Sequence, residues 1–131
     1  MILPRVLLAD DHSAFLERTA ALLKPQFEIV GTVADGAALV SEALRLRPDV
    51  IVADIAMPGL NGIAAAHRLR QFALSARIVF LTIHSEEQFV EASRAEGASG
   101  YVVKAHMNAH LIPAIQAALA GAAYISPLTP K

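Results

Sequence analysis

Five short apolar runs alternate along this chain with five segments whose apolar residues recur at helical spacing, and this alternation restricts the fold more than any other feature. The runs lie at 5–9, 27–33, 50–53, 77–81 and 100–103. They are rich in Val, Ile and Leu, which reads as strands buried on both faces. The first helical segment, 13–24, carries Phe15, Leu16, Leu22 and Leu23 and is stopped by Pro25. Asp35-Gly36 opens a second, with Leu39, Val40, Ala43, Leu44 and Leu46 on one side. Asn61-Gly62 leads into a third, with Ile63, Ala66 and Leu69 spaced for burial. Ser85 is expected to cap the fourth, followed by the first-turn carboxylates Glu86 and Glu87, and Gly97 marks its end. Asn108 is expected to cap the fifth, which runs to about 120. Pro113 within it implies either a kink or a later start. Strand and helix in strict alternation specify a doubly wound α/β fold, a five-stranded parallel sheet with helices on both faces, in three layers.

With 131 residues the chain is one domain with one sheet-centred core, and at 5% aromatic content that core is mostly aliphatic. The absence of cysteine excludes disulfides, thiol catalysis and Cys-ligated zinc. A net charge of -1 gives no chain-wide attraction to nucleic acid or an anionic membrane. No apolar segment approaches the roughly 20 residues of a membrane span, and the N-terminus lacks signal-peptide character. A soluble cytoplasmic protein is expected. The proline-bearing segment 124–131 reads as the start of a linker or a cut end, which leaves 1–123 as the folded domain.

The polar residues then fall in a telling place. The first run ends in Asp10-Asp11, the third in Asp54, the fourth in Thr82 and the fifth in Lys104. Parallel strands all point one way, so these side chains gather at one sheet edge, where open α/β sheets place their ligands. Each has an ordinary reading. Asp10 or Asp11 caps a helix, Asp54 caps the Pro58-Gly59 turn, Thr82 bonds to backbone, and Lys104 is solvated. Asp54 alone can equally be a nucleophile, a metal ligand or both. Taken together, three carboxylates and one lysine leave excess negative charge that a hard divalent cation such as Mg²⁺ would offset. Such a site attracts a phosphoryl group, with Asp54 as nucleophile, Lys104 and the cation neutralising oxygens, and Thr82 donating to one.

The order Asp10-Asp11, Asp54, Thr82, Lys104 resembles the receiver domain of two-component response regulators. The likeness includes Met57-Pro58 and Gly62 after Asp54, and Gly97-Ala98-Ser99-Gly100-Tyr101 before the lysine. It spans about 6–127. Asp10-Asp11-His12, Leu81-Thr82-Ile83-His84 and Gly121-Ala122-Ala123-Tyr124-Ile125-Ser126-Pro127 are most similar to the NarL/FixJ class, which carries LuxR-type output domains. The resemblance implies a flavodoxin-like strand order of 2-1-3-4-5. It implies that Asp54 takes a phosphoryl group from a histidine kinase or a small donor. Asp11, Asp54 and the Ala56 backbone carbonyl would ligate Mg²⁺ directly, with Asp10 acting through a metal-bound water. Lys104 would pair with the phosphoryl group, Thr82 would move toward it, and Tyr101 would turn inward to switch the face made by the fourth helix, fifth strand and fifth helix. Homodimerisation on phosphorylation is expected, and DNA contact only through an output domain that this stretch does not contain. No conventional metabolic activity is implied, only catalysis of the chain's own phosphotransfer and dephosphorylation.

Four positions depart from the family pattern or tune its chemistry. Ile83 is larger than the usual small residue and would narrow access to Asp54. Ala56 and His84 occupy places whose side chains set acyl-phosphate lifetime, and Ala56 offers no hydrogen bond; His84 contacts the phosphoryl region or faces solvent. Ala105 stands where many relatives carry an acid. Two other functions fit parts of the pattern. One is a docking module that works without phosphorylation. The other is a haloacid-dehalogenase-type phosphatase, which begins with its nucleophilic Asp and ends with the acidic pair, the reverse of the order here.

Overall fold

The computed structural model describes residues 2–125. Strands β1 (Arg5–Ala9), β2 (Glu28–Val33), β3 (Val50–Ala53), β4 (Arg77–Thr82), β5 (Gly100–Val103) and β6 (Tyr124–Ile125) form one parallel sheet in the order 2-1-3-4-5-6. Helices α1 (Ser13–Leu23), α2 (Gly36–Leu46), α3 (Gly62–Gln71), α4 (Glu87–Ala95) and α5 (Met107–Leu119) connect them, with a 3₁₀ turn at Lys104–His106. The doubly wound order 2-1-3-4-5 is therefore present, and a two-residue strand is added at its outer edge.

The strands divide their side chains by the two-residue period. Leu7, Ala9, Ile51, Ala53, Ile78, Phe80 and Tyr101 face one layer with Leu39, Ala43, Ala65, Leu69 and Val90 from α2, α3 and α4. Val6, Leu8, Val50, Val52, Val79, Leu81 and Val102 face the other with Leu23 from α1 and Leu111, Ala114, Ile115 and Ala118 from α5. Both faces of β3 are fully covered, so its four residues are apolar without alternation.

Local signals explain two of the helix starts. The Asp35 side chain accepts from the Ala38 amide at 2.8 Å and the Asn61 side chain from the Ala64 amide at 2.8 Å, capping α2 and α3. Ser85 does not cap α4. Glu86 holds the N-cap position and makes no side-chain cap bond. The start of α5 also differs from expectation: the 3₁₀ turn at Lys104–His106 leads directly into a helix that begins at Met107, with Pro113 in its interior. Pro113 and Ala109, whose carbonyl it leaves without an amide partner, are both on exposed positions where water can serve instead. Tyr124 and Ile125, read from sequence as linker, pair with Gly100 and Tyr101. The Tyr124 hydroxyl hydrogen-bonds to the His110 ring. Residues 126–131 of the expected linker lie outside the described residues. No helix among the described residues is long and apolar enough to cross a membrane.

Gly36 is required by close approach. A Cβ built there would lie 1.9 Å from the Leu60 carbonyl oxygen, a backbone atom that has no rotamer to change. Gly36→Ala must push α2 away from the chain entering α3. We expect a loss of about 1–3 kcal/mol in urea denaturation, and an unchanged midpoint would refute the close approach.

Candidate functional site

The register of the sheet builds the site. Ala9 pairs with Ala53, so the next residue of each strand, Asp10 and Asp54, emerges beside the other. The Asp54 amide donates to the Ala9 carbonyl at 2.9 Å, and the Asp10 amide to the Val33 carbonyl at 3.0 Å. Thr82 ends β4 and Lys104 follows β5. The loop after β3 is closed by the Gly62 amide donating to the Ile55 carbonyl at 2.8 Å. A Cβ at Gly62 would lie 2.2 Å from the Asp54 carbonyl oxygen, so glycine there lets α3 start directly beneath the site.

Lys104 bridges the two buried carboxylates. Its Nζ lies 2.7 Å from Asp10 Oδ2 and 3.0 Å from Asp54 Oδ2. All three side chains are nearly sealed from solvent, at 8%, 6% and 3% exposure for Lys104, Asp10 and Asp54. Burial by itself pulls the lysine down, but the hydrogen bonds it donates to Asp10 and Asp54, and the charges of those carboxylates, outweigh it and hold the ammonium above its ordinary value. The group is charged at neutral pH. On the solvent side, Asp11 is exposed and its Oδ1 lies 3.1 Å from His12 Nδ1. Neither Asp10 nor Asp11 caps α1: His12 occupies that N-cap position, and its own amide donates to Asp10 Oδ1 at 2.9 Å.

The donor set fits a divalent cation. One atom each of Asp10, Asp11, His12 and Asp54 falls within 4.8 Å of the others. One lysine cannot balance three carboxylates, and carboxylate oxygens are the donors that a hard cation selects. Asp54 Oδ1 accepts from the Ala56 amide at 3.3 Å, which brings the exposed Ala56 backbone to the same rim.

The remaining predicted residues are placed as follows. Thr82 is fully buried, and its hydroxyl accepts a long 3.4 Å bond from the His84 amide. By strand parity Thr82 lies on the same sheet face as Phe80 and Tyr101. Tyr101 already lies inside, and its hydroxyl donates to the His84 carbonyl at 2.8 Å. Burial first, then the charges of Glu86 and Asp54, push that phenol well above its usual range, so it stays protonated and able to donate at neutral pH. Ile83 is 70% exposed and lies on the wall of an open groove that also contains Phe15 and Lys104. His84 is engaged elsewhere: its ring stacks on Phe89 of α4 at 4.4 Å, with Nδ1 3.6 Å from Glu86.

This arrangement has close counterparts in known proteins. A sequence profile described as the response regulator receiver domain matches residues 6–116. This chain belongs to the response regulator receiver domain family. It is 36% identical over 125 residues to the transcriptional regulatory protein DegU of Brevibacillus brevis, covering 94% of this chain and 53% of that one. It is 34% identical over 128 residues to the nitrate/nitrite response regulator protein NarL of Escherichia coli K12, covering 95% and 59%. Among solved structures, a LuxR-family two-component response regulator from Aurantimonas sp. SI85-9A1 superposes with a TM-score of 0.91 at 35% identity, covering 95% of this chain and 91% of that one. The signal receiver domain of NarL from Mycobacterium tuberculosis gives 0.88 at 28% identity, covering 92% and 99%. The receiver is thus of the NarL/LuxR type, and it spans little more than half the length of these curated relatives.

Two features of the receiver site escaped the sequence reading. One is the stacking of His84 on Phe89. The other is the ring of Phe15, which lies under the Lys104 ammonium. Spacing gives no signal for the latter, because Asp11 lies before the His12 N-cap and the helical period does not run from it to Phe15.

Proposed function

We propose that Asp54 is the phosphoacceptor of this receiver, supplied by the phosphohistidine of a sensor kinase or by a small acyl phosphate. The observation that supports this most directly is the buried Asp10–Lys104–Asp54 bridge at the C-terminal edge of the sheet. A carboxylate oxygen of Asp54 forms the bond to phosphorus. The bond from phosphorus to the donor's nitrogen or oxygen breaks, and the donor keeps that electron pair. Asp10, Asp11, Asp54 and the Ala56 backbone carbonyl would hold Mg²⁺, which when bound neutralises oxygens of the transferred group. Lys104 exchanges a carboxylate partner for a phosphoryl oxygen, and its charge matches the charge gained. Thr82 donates its hydroxyl to a second oxygen. In doing so it gives up the weak bond from His84, and the Tyr101–His84 contact relays the change to α4. Ile83, Ala56 and His84 tune how fast the group arrives and leaves.

The test is incubation with acetyl phosphate and Mg²⁺. The chain is expected to gain the mass of one phosphoryl group on the peptide that contains Asp54, and chelation of the cation should prevent it. No gain from acetyl phosphate or from a phosphorylated cognate kinase would refute the proposal and favour docking without phosphorylation.

Beyond the site, we propose a cytoplasmic two-component pathway in which the segment from 124 leads toward a DNA-binding output domain in the native protein. The relatives' greater length supports this reading. Phosphorylation is expected to favour homodimers. Sedimentation with and without beryllofluoride tests this, and an unchanged monomer mass at high concentration would count against it.

A further inference from the structure

We propose that Phe15 is a positioning residue for phosphotransfer, holding the Lys104 ammonium against the site through the face of its ring. The inference rests on the reading of Asp54 as phosphoacceptor and assigns a role to a residue outside the acidic cluster. An ammonium has three N–H donors. Asp10 Oδ2 and Asp54 Oδ2 lie at 2.7 and 3.0 Å from Lys104 Nζ. The Phe15 centroid lies 4.3 Å from the same nitrogen, well inside the range in which a ring's negative face attracts a cation. With only 8% of the lysine side chain exposed, the ring takes a place that water would otherwise hold.

The chemistry of transfer gives the ring a particular value. Lys104 must turn from Asp10 and Asp54 toward a newly arrived phosphoryl oxygen. A carboxylate or a water on its third side would resist that turn, because a hydrogen bond weakens steeply with angle. A π face attracts a cation over a broad area, so the ammonium can pivot without losing the contact. Phe15 is half-buried in the first turn of α1, and its ring also lies 5.4 Å from the Arg18 guanidinium carbon. The ring therefore belongs to a local cationic environment. Bulk packing alone would be served equally well by leucine, and the experiment uses that difference.

The test compares wild type with Phe15→Leu and Phe15→Tyr. Three quantities are measured: the rate of Asp54 phosphorylation from acetyl phosphate at saturating Mg²⁺, the Mg²⁺ affinity by calorimetry, and the proton shifts of the Lys104 side-chain terminus by NMR. Leucine is expected to slow phosphorylation about three- to thirtyfold while leaving Mg²⁺ affinity unchanged, and tyrosine to restore the rate to within about twofold of wild type. In wild type and Phe15→Tyr the Lys104 terminal protons should be moved upfield by the ring current, and in Phe15→Leu that displacement should vanish. A wild-type rate in Phe15→Leu, a tyrosine variant as slow as leucine, or no upfield displacement in wild type would each overturn the proposal. Should Phe15→Leu fail to fold, the wild-type NMR shifts and the tyrosine rate still decide. Failure of the wild type itself to take a phosphoryl group would refute the phosphoacceptor reading instead, and the ring-current measurement separates the two.

Discussion

Asp54→Asn is expected to lower phosphorylation by several orders of magnitude while leaving the chain folded. An amide oxygen carries no full charge and is a poor nucleophile, so the step that forms the oxygen–phosphorus bond loses its reactant. The variant should also bind Mg²⁺ more weakly, because one of the three carboxylates is gone. Stability behaves differently from activity. Lys104 keeps its 2.7 Å bond to Asp10, and the asparagine oxygen can still accept from the ammonium. The change also removes one of two buried negative charges facing each other. These effects oppose, so the denaturation midpoint should correspond to a change of no more than about 1–2 kcal/mol. Mass spectrometry with acetyl phosphate and Mg²⁺ checks the first part. A phosphoryl gain in the asparagine variant equal to wild type would mean that another residue is the acceptor.

The sheet and the identity of its strand-end residues were legible for a simple reason. A parallel strand covered on both faces must be a short continuous apolar run, and such runs are hard to mistake when they alternate with amphipathic helices. The edge of a parallel sheet then follows from chain direction alone, which is why the sequence already groups Asp10, Asp54 and Lys104. The bridging contact itself was not legible, because it depends on the register that sets Ala9 against Ala53. Ser85 shows the limit of local signals. It has the right chemistry for a cap, yet the chain leaves β4 so that Glu86, one residue later, takes the N-cap position. His84 shows another limit. Its alternatives were the phosphoryl group or solvent, and the stack on Phe89 arose from the position of α4, which single-chain periodicity does not encode. Tyr124 and Ile125 looked like linker because two residues carry too little pattern to announce a strand. Their pairing comes from an open edge on β5. The need for glycine at 36 and 62 likewise belongs to the approach of other backbone segments.

Lys104→Met should destabilise the chain by about 3–5 kcal/mol at neutral pH without divalent cations, the usual scale when one partner of a buried ion pair is removed. Methionine keeps the length and most of the volume of lysine, so the loss reports charge rather than a cavity. Asp10 and Asp54 would be left facing each other at 6% and 3% side-chain exposure with no cation between them. Two outcomes distinguish this cause from damaged packing. Adding Asp10→Asn should recover a large part of the lost stability, because the second change is harmful alone but relieves the repulsion created by the first. Mg²⁺ should recover stability in Lys104→Met more than in wild type, since the cation replaces the missing charge. The pH dependence of wild type has a definite sign. Lys104 is held above its ordinary 10.5, so the folded state keeps the proton more tightly than the unfolded state. Its contribution is fully present below that value and is lost as pH rises through the higher folded value. Alkaline unfolding of wild type should therefore include a component that Lys104→Met lacks. A methionine variant as stable as wild type in cation-free buffer at neutral pH would show that the bridge does not hold the two carboxylates in place.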